Sequence, residues 1–194
     1  MSYLEPNSFV RSMVDSGESK CKMSARDTFI RSFMAGAILG LAAVFAITVS
    51  HQTGSTLIGA ILFPVGFIML YLMKFDLLTG VFTLTPLAYF DQRQGVTIQA
   101  IARNWSIVFF GNLSGALVTA FLISFIFTFG YSTDGGTLAQ KVSSSGEHRT
   151  VGYQEHGLSG WFTIFIRGVL CNWMVSMGVV GALVSTSTSG KVIA

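Results

Sequence analysis

Charge is what this sequence has least of. Asp, Glu, Lys and Arg make up 11% of its 194 residues, less than half of the roughly 25% with which soluble domains clothe their surfaces. The shortage excludes an ordinary water-soluble globule. A hydrophobic fraction of 51% and a mean hydropathy of +0.62 place the chain in the membrane class instead. Cysteine is scarce as well. Cys21 stands in a polar arm and Cys171 in an apolar window, so neither a disulfide framework nor a metal-ligand spacing is present, and both are expected as free thiols. The residues from Met1 to Arg26 lack the apolar core and small-residue cleavage site of a signal peptide. The net charge of +3 is spread over scattered lysines and arginines while the aromatics sit in apolar windows, which argues against nucleic acid as a partner. His51, His148 and His156 all lie in connecting segments, away from any helix-embedded carboxylate except Asp76. A membrane enzyme would have no catalytic cluster here, and no cofactor or metal is expected.

What is present is a set of long apolar windows, as a hydrocarbon slab about 30 Å thick requires of helices that span it. The reading is an all-α membrane protein with a polar N-terminal arm over 1–28 and a transmembrane domain over 29–194. Its helices are expected at about 29–50, 56–73 plus 81–90, 104–129 and 161–184. The first carries Ala35, Gly36, Gly40, Ala42 and Ala43, and the third Gly111, Ser114 and Gly115, small residues that let helices approach closely in a membrane. The polar, Gly- and Ser-rich segment 130–160 reads as a loop.

The second window is interrupted. Lys74 to Gly80 separates the apolar runs 56–73 and 81–90, and the second run is too short to cross alone at about 1.5 Å per residue. Either the first run crosses and the second lies in the interface, or the two share one crossing. Backbone that is not helical at membrane depth is tolerated only where protein covers it or water reaches it, so the second alternative points to a pore.

Lysine and arginine placement sets the expected orientation. Arg11, Lys20, Lys22, Arg26 and Arg31 precede or open the first window, Arg93 and Arg103 lie between the second and third, and Lys191 follows the fourth. These ends are expected on the cytoplasmic side, with segments 51–55 and 130–160 outside. Phe33 to Ile38 also resembles Phe165 to Leu170. Chance likeness between apolar helices is one explanation; an inverted repeat, which places a broken-helix substrate site at its interface, is the other.

Three stretches carry a family resemblance: Phe75-Asp76-Leu77-Leu78-Thr79-Gly80; Arg103-Asn104-Trp105 with Phe110-Gly111-Asn112-Leu113-Ser114-Gly115; and Arg167-Gly168-Val169-Leu170-Cys171-Asn172-Trp173-Met174-Val175. In order and spacing they resemble the formate/nitrite transporters. The resemblance implies an aquaporin-like bundle of six transmembrane helices with broken second and fifth helices, of which about four are expected here, assembled as a homopentamer with a pore in each subunit. The family's central pore histidine lies in the second broken helix, and the sequence is expected to be a fragment that stops before it. The implied function is passage of small monovalent anions across a lipid bilayer, formate or nitrite first, bicarbonate or hydrosulfide as alternatives, with proton coupling open. The membrane expected is the plasma (inner) membrane. A neutral-solute channel of the aquaporin type lacks its Asn-Pro-Ala signatures, and a non-conducting accessory subunit is a further alternative.

The resemblance assigns Leu77, Leu78 and Thr79 to a gate in the break, and Phe63, Phe67 and Val175 to apolar pore walls. Lys74 is a candidate for anion attraction or for pairing with Asp76; His156 falls near the family's vestibule lysine. Asn112 and Asn172 are expected to tie helices together by hydrogen bonds. Arg167, a cation inside an apolar window, is expected to snorkel to the outer surface.

Overall fold

The computed structural model describes residues 3–193, and apart from an isolated bridge between Tyr3 and Ser185 all their regular structure is helical. The polar arm is itself largely a helix, α1 (Pro6–Lys22). Proline at its first turn suits a position whose N–H would have no intrahelical acceptor. Met13, Val14, Gly17 and Cys21 form its buried stripe, the spacing of one helical face. Reading the arm by its charge alone hides this stripe, because the polar residues between outnumber it.

The first apolar window lies within α2 (Ala25–Thr53), started by Ser24, whose Oγ accepts from the Asp27 N–H at 3.1 Å and donates to the Asp27 carboxylate at 2.7 Å. The third window belongs to α6 (Ile98–Phe127), capped by Thr97 through the Ala100 N–H at 3.1 Å. These two helices make the most extensive pairing in the molecule. Gly36 lies against the backbone of Asn112, and Gly115 against the Phe33 carbonyl, so closely that a Cβ at either would collide with main chain. Small residues thus do here what their clustering suggests, holding two apolar helices backbone to backbone.

The second window divides twice. Its first run, expected as one helix, is split into α3 (Thr56–Leu62) and α4 (Val65–Leu72) around Phe63 and Pro64, because proline has no N–H to continue the ladder and its ring crowds the preceding turn. Both pieces run back along α2: Gly59 meets the Ala46 carbonyl, and Gly66 meets Ala42 and Leu39. The second run is α5 (Leu78–Phe90), and it leaves α2. Gly17 of α1 sits on the Leu84 carbonyl of α5, and Trp105 of α6 donates to the Thr85 hydroxyl at 2.9 Å while its ring meets Phe82 edge-on at 4.6 Å. The interruption therefore changes the neighbours of the chain as well as its direction.

Segment 130–160 is more ordered than a loop, with α7 (Gly136–Glu147) and a 3-10 turn at Val151–His156 leading into α8 (Gly157–Val184). A short α9 (Thr188–Ile193) follows. Of α8 only Gly160 and Ala182 are buried. The compact core sits at one end of the bundle, where Val14, Cys21, Ala88, Val96 and Ile101 join α1, α5 and α6. Elsewhere large apolar side chains face outward, among them Leu41, Phe110, Leu117, Phe121 and Trp173. Such a surface is unfavourable in water and suits lipid. Ala25–Thr53, Ile98–Phe127 and the stretch Val151–Val184 are each long and apolar enough to cross a membrane.

Candidate functional site at the helix break

The break is built by a reversal followed by a restart. After α4, Lys74 adopts a left-handed conformation (φ 57°), and the N–H groups of Lys74 and Phe75 close back on Tyr71 and Leu70 at 3.1 and 2.8 Å. Leu77 is extended, and α5 begins at Leu78 with no side-chain cap of its own. A cap comes from another helix instead. Asn112 of α6 accepts from the Leu78 N–H at 2.9 Å, and its amide nitrogen donates to the Asp76 carbonyl at 2.9 Å and the Ser32 carbonyl at 2.8 Å. One side chain thereby joins α2, α6 and both ends of the break. The expected tie between helices is present at Asn112, and its target is the main chain freed by the interruption.

Asp76 is fully buried. Its carboxylate pairs with Lys20 of α1. The suggested pairing with Lys74 is not formed, since the left-handed turn sends the lysine outward, where it is exposed and has no ion-pair partner among the described residues. Asn104 fixes the other side of the contact by donating to the Lys20 carbonyl at 3.0 Å. Arg93, just after α5, holds α1 further through Asp15 at 2.8 Å and Glu18 at 3.3 Å. A hydrogen bond from Lys22, with Arg93 nearby, keeps the Glu18 carboxyl below the ordinary 4.5, and a hydrogen bond to Asp91 raises the Arg93 guanidinium. Lys20, Arg93 and Asn104 were not singled out from the sequence as parts of a site. The available signal was Asp76 itself, a carboxylate in apolar surroundings that requires a cation.

Three buried side-chain atoms lack a partner among the described residues: Asp76 Oδ2, Asn104 Oδ1 and the Thr79 hydroxyl. The Thr79 hydroxyl is the donor of the three. It lies in the first turn of α5, where the helix dipole favours negative charge. Leu77 and Leu78 stand beside it, partly buried.

The other expected site residues are distributed around this centre. Phe63 and Phe67 meet edge-on with centroids 5.6 Å apart across the Pro64 interruption. Val175 is partly buried on α8, and its neighbour Ser176 reaches Thr83 of α5 at 2.7 Å between hydroxyl oxygens. Asn172, the other expected tie, donates to the Gly168 carbonyl of its own helix at 2.7 Å and has no bond to another helix among the described residues. His156 is exposed at the start of α8. Arg167 bends back to the Tyr153 hydroxyl, its guanidinium 5.6 Å from that ring, as snorkelling from within an apolar helix requires.

Apolar helices facing outward around an interrupted helix, with a buried, unpartnered hydroxyl where the helix restarts, define an integral membrane protein, and a broken helix of this kind is a feature of transport proteins. Residues 7–194 match the formate/nitrite transporter family model, and the chain belongs to that family, whose members are transporters and not enzymes. It is 25% identical to the Bacillus subtilis protein named uncharacterized transporter YrhG, over 100% of this chain and 70% of that one. It is 32% identical to the formate channel FocA of Haemophilus influenzae, over 78% of this chain and 51% of the relative, and 29% identical to FocA of Escherichia coli, over 91% and 60%. The chain thus spans between about half and seven tenths of the length of these relatives.

Proposed function

We propose that this chain forms part of a membrane pore for small monovalent anions, with formate or nitrite as substrate ahead of bicarbonate or hydrosulfide. The observation that carries the reading is the buried Thr79 hydroxyl, which has no partner among the described residues and stands at the start of α5. A buried donor left unpaired costs about 1–3 kcal/mol, and an anion passing the break satisfies it at a helix end already disposed to negative charge. A neutral solute would gain less from that field. In this reading α3, α4 and α5 make one crossing together, Leu77 and Leu78 exclude bulk water at the gate, and Phe63, Phe67 and Val175 form apolar walls on either side. Lys74, exposed beside the break, attracts anions from one side, and His156 does so from the other. Relatives named as formate channels support the substrate class. In the inverted-repeat reading α8 is the counterpart of α2, and its open surface faces the other pore-forming helices of the family fold and the neighbouring subunits of a homopentamer.

Thr79→Val keeps the side-chain shape and removes the donor. In liposomes containing the protein expressed from its complete reading frame, formate and nitrite uptake is expected to fall by about tenfold or more, the equivalent of losing one good hydrogen bond to an ion. Undiminished uptake at equal incorporation rejects the gate. The orientation has its own test. With the N-terminus in the cytoplasm of a plasma-membrane protein, Gln99→Cys is labelled by an impermeant thiol reagent only after cells are opened; labelling in sealed cells places the 91–97 connection outside and reverses the topology.

A further inference from the structure

Helix α5 has two faces of opposite character. Val81, Leu84, Thr85 and Ala88 are buried against α1 and α6, whereas Thr79 and Thr83, one turn apart, lie on the reverse side and are partly open. On that open side Thr83 Oγ1 is 2.7 Å from Ser176 Oγ of α8 and 3.3 Å from the Thr79 carbonyl. Two hydroxyls share these contacts and each has one hydrogen that rotates freely about its C–O bond. In one arrangement Ser176 donates to Thr83 and Thr83 to the Thr79 carbonyl, so the group is closed on itself. In the other the hydrogen bond between the two hydroxyls opens, their oxygens move apart, and both hydrogens turn to the open face of α5 as neighbouring donors.

We infer that Thr83 and Ser176 form a second anion station one helical turn beyond Thr79, selective for planar anions that offer two terminal oxygens. Once the 2.7 Å hydrogen bond between them opens, two adjacent hydroxyl donors suit the paired oxygens of a carboxylate-like ion such as formate or nitrite, each hydroxyl donating to one. A spherical anion accepts from the same pair less well, because it has no second centre to place against the second donor. The closed arrangement keeps both hydroxyls satisfied when no ion is present, so an empty station carries no unpaired buried group. An ion leaving Thr79 meets the next donors four residues on, about 6 Å along the helix, which is the close spacing of weak successive sites that conduction requires. The inference rests on the anion-pore reading and adds to it a second site and a basis for selectivity.

The test is uptake of radiolabelled formate and radiolabelled chloride into liposomes containing the protein from its complete reading frame, a measure that counts charged and neutral carriage alike. For the Thr83→Val, Ser176→Ala double variant the formate-to-chloride ratio is expected to fall about tenfold, as for loss of a bidentate hydrogen bond to an ion, with chloride uptake changed less than about twofold. Thr83→Ser, which keeps the hydroxyl, is expected to retain the wild-type ratio. Thermal unfolding in detergent is followed alongside. An equal fall for both ions, together with lower stability, would show that the 2.7 Å contact only fastens α8 to α5 and would overturn the station, as would an unchanged ratio. Absence of formate uptake by the wild-type protein is a different result: it sinks the pore reading itself.

Discussion

Replacing Lys20 by Met is expected to destabilise the protein by about 3–5 kcal/mol, the usual consequence of removing one partner from a buried ion pair. Methionine keeps the unbranched stem, so packing changes little, but Asp76 stays fully buried with no counter-charge. Its second oxygen already has no partner among the described residues, which leaves the carboxylate dependent on this one lysine. The double variant Lys20→Met, Asp76→Leu removes the charge together with its need, and is expected to recover most of the loss. Thermal or denaturant unfolding in detergent measures both, and the double-mutant cycle isolates the pair. Equal stability of the single and double variants would mean that the ion pair does not hold α1 to the break. Because Arg93 and Asn104 also fasten α1, limited proteolysis of the single variant is expected to cut first between α4 and α5 and not within α1.

Asn112→Leu is expected to cost about 3 kcal/mol, from three hydrogen bonds of about 1 kcal/mol each. The volume of the side chain is nearly retained, while the Leu78 N–H and the carbonyls of Asp76 and Ser32 lose their partner inside the bundle. No neighbouring side chain takes over the cap on α5. The helix start moves, and Thr79 moves with it, so anion uptake is expected to fall more than stability alone accounts for. Asn112→Asp separates the two effects. It retains the acceptor for Leu78 but offers no donor to the two carbonyls, and adds a charge beside Asp76; it is expected to fold worse than Asn112→Leu. Unfolding midpoints in detergent give the order, and the reverse order would show that the cap on α5 retained by aspartate outweighs the buried charge and the two lost donors.

Both variants act where the chain leaves one helical register and enters another, where the residues proposed as a gate are held by distant segments. Leu77, Leu78 and Thr79 have little intrinsic means of holding a fixed place, since α5 starts without its own cap. Their position is inherited from Asn112 on α6 and from Lys20 through Asp76. In the proposed pore a small anion held by a hydroxyl tolerates little displacement of that hydroxyl, so the supporting bonds would serve the function of the break as well as its stability.

Local information in the sequence was enough for the membrane class, the apolar windows, the family and the interruption at 74–80. Each depends on composition or on contiguous residues: hydropathy runs because lipid must be faced, and small residues because helices must touch. Even Pro64, which divides α3 from α4, is a local signal that the apolar run around it masks. The tertiary structure decided the rest, because the deciding contacts join residues far apart in the chain. Lys20 and not Lys74 neutralises Asp76, across 56 positions, since the left-handed turn at Lys74 sends that side chain away while α1 folds back beneath the break. Asn112 finds the main chain of the interruption 34 and 36 positions earlier, whereas Asn172, alike in sequence setting, donates to a carbonyl of its own helix. Thr83 meets Ser176 across 93 positions. Hydropathy has no term for such pairings: it specifies which surfaces leave water, and the directional needs of the few polar groups buried with them select the partners.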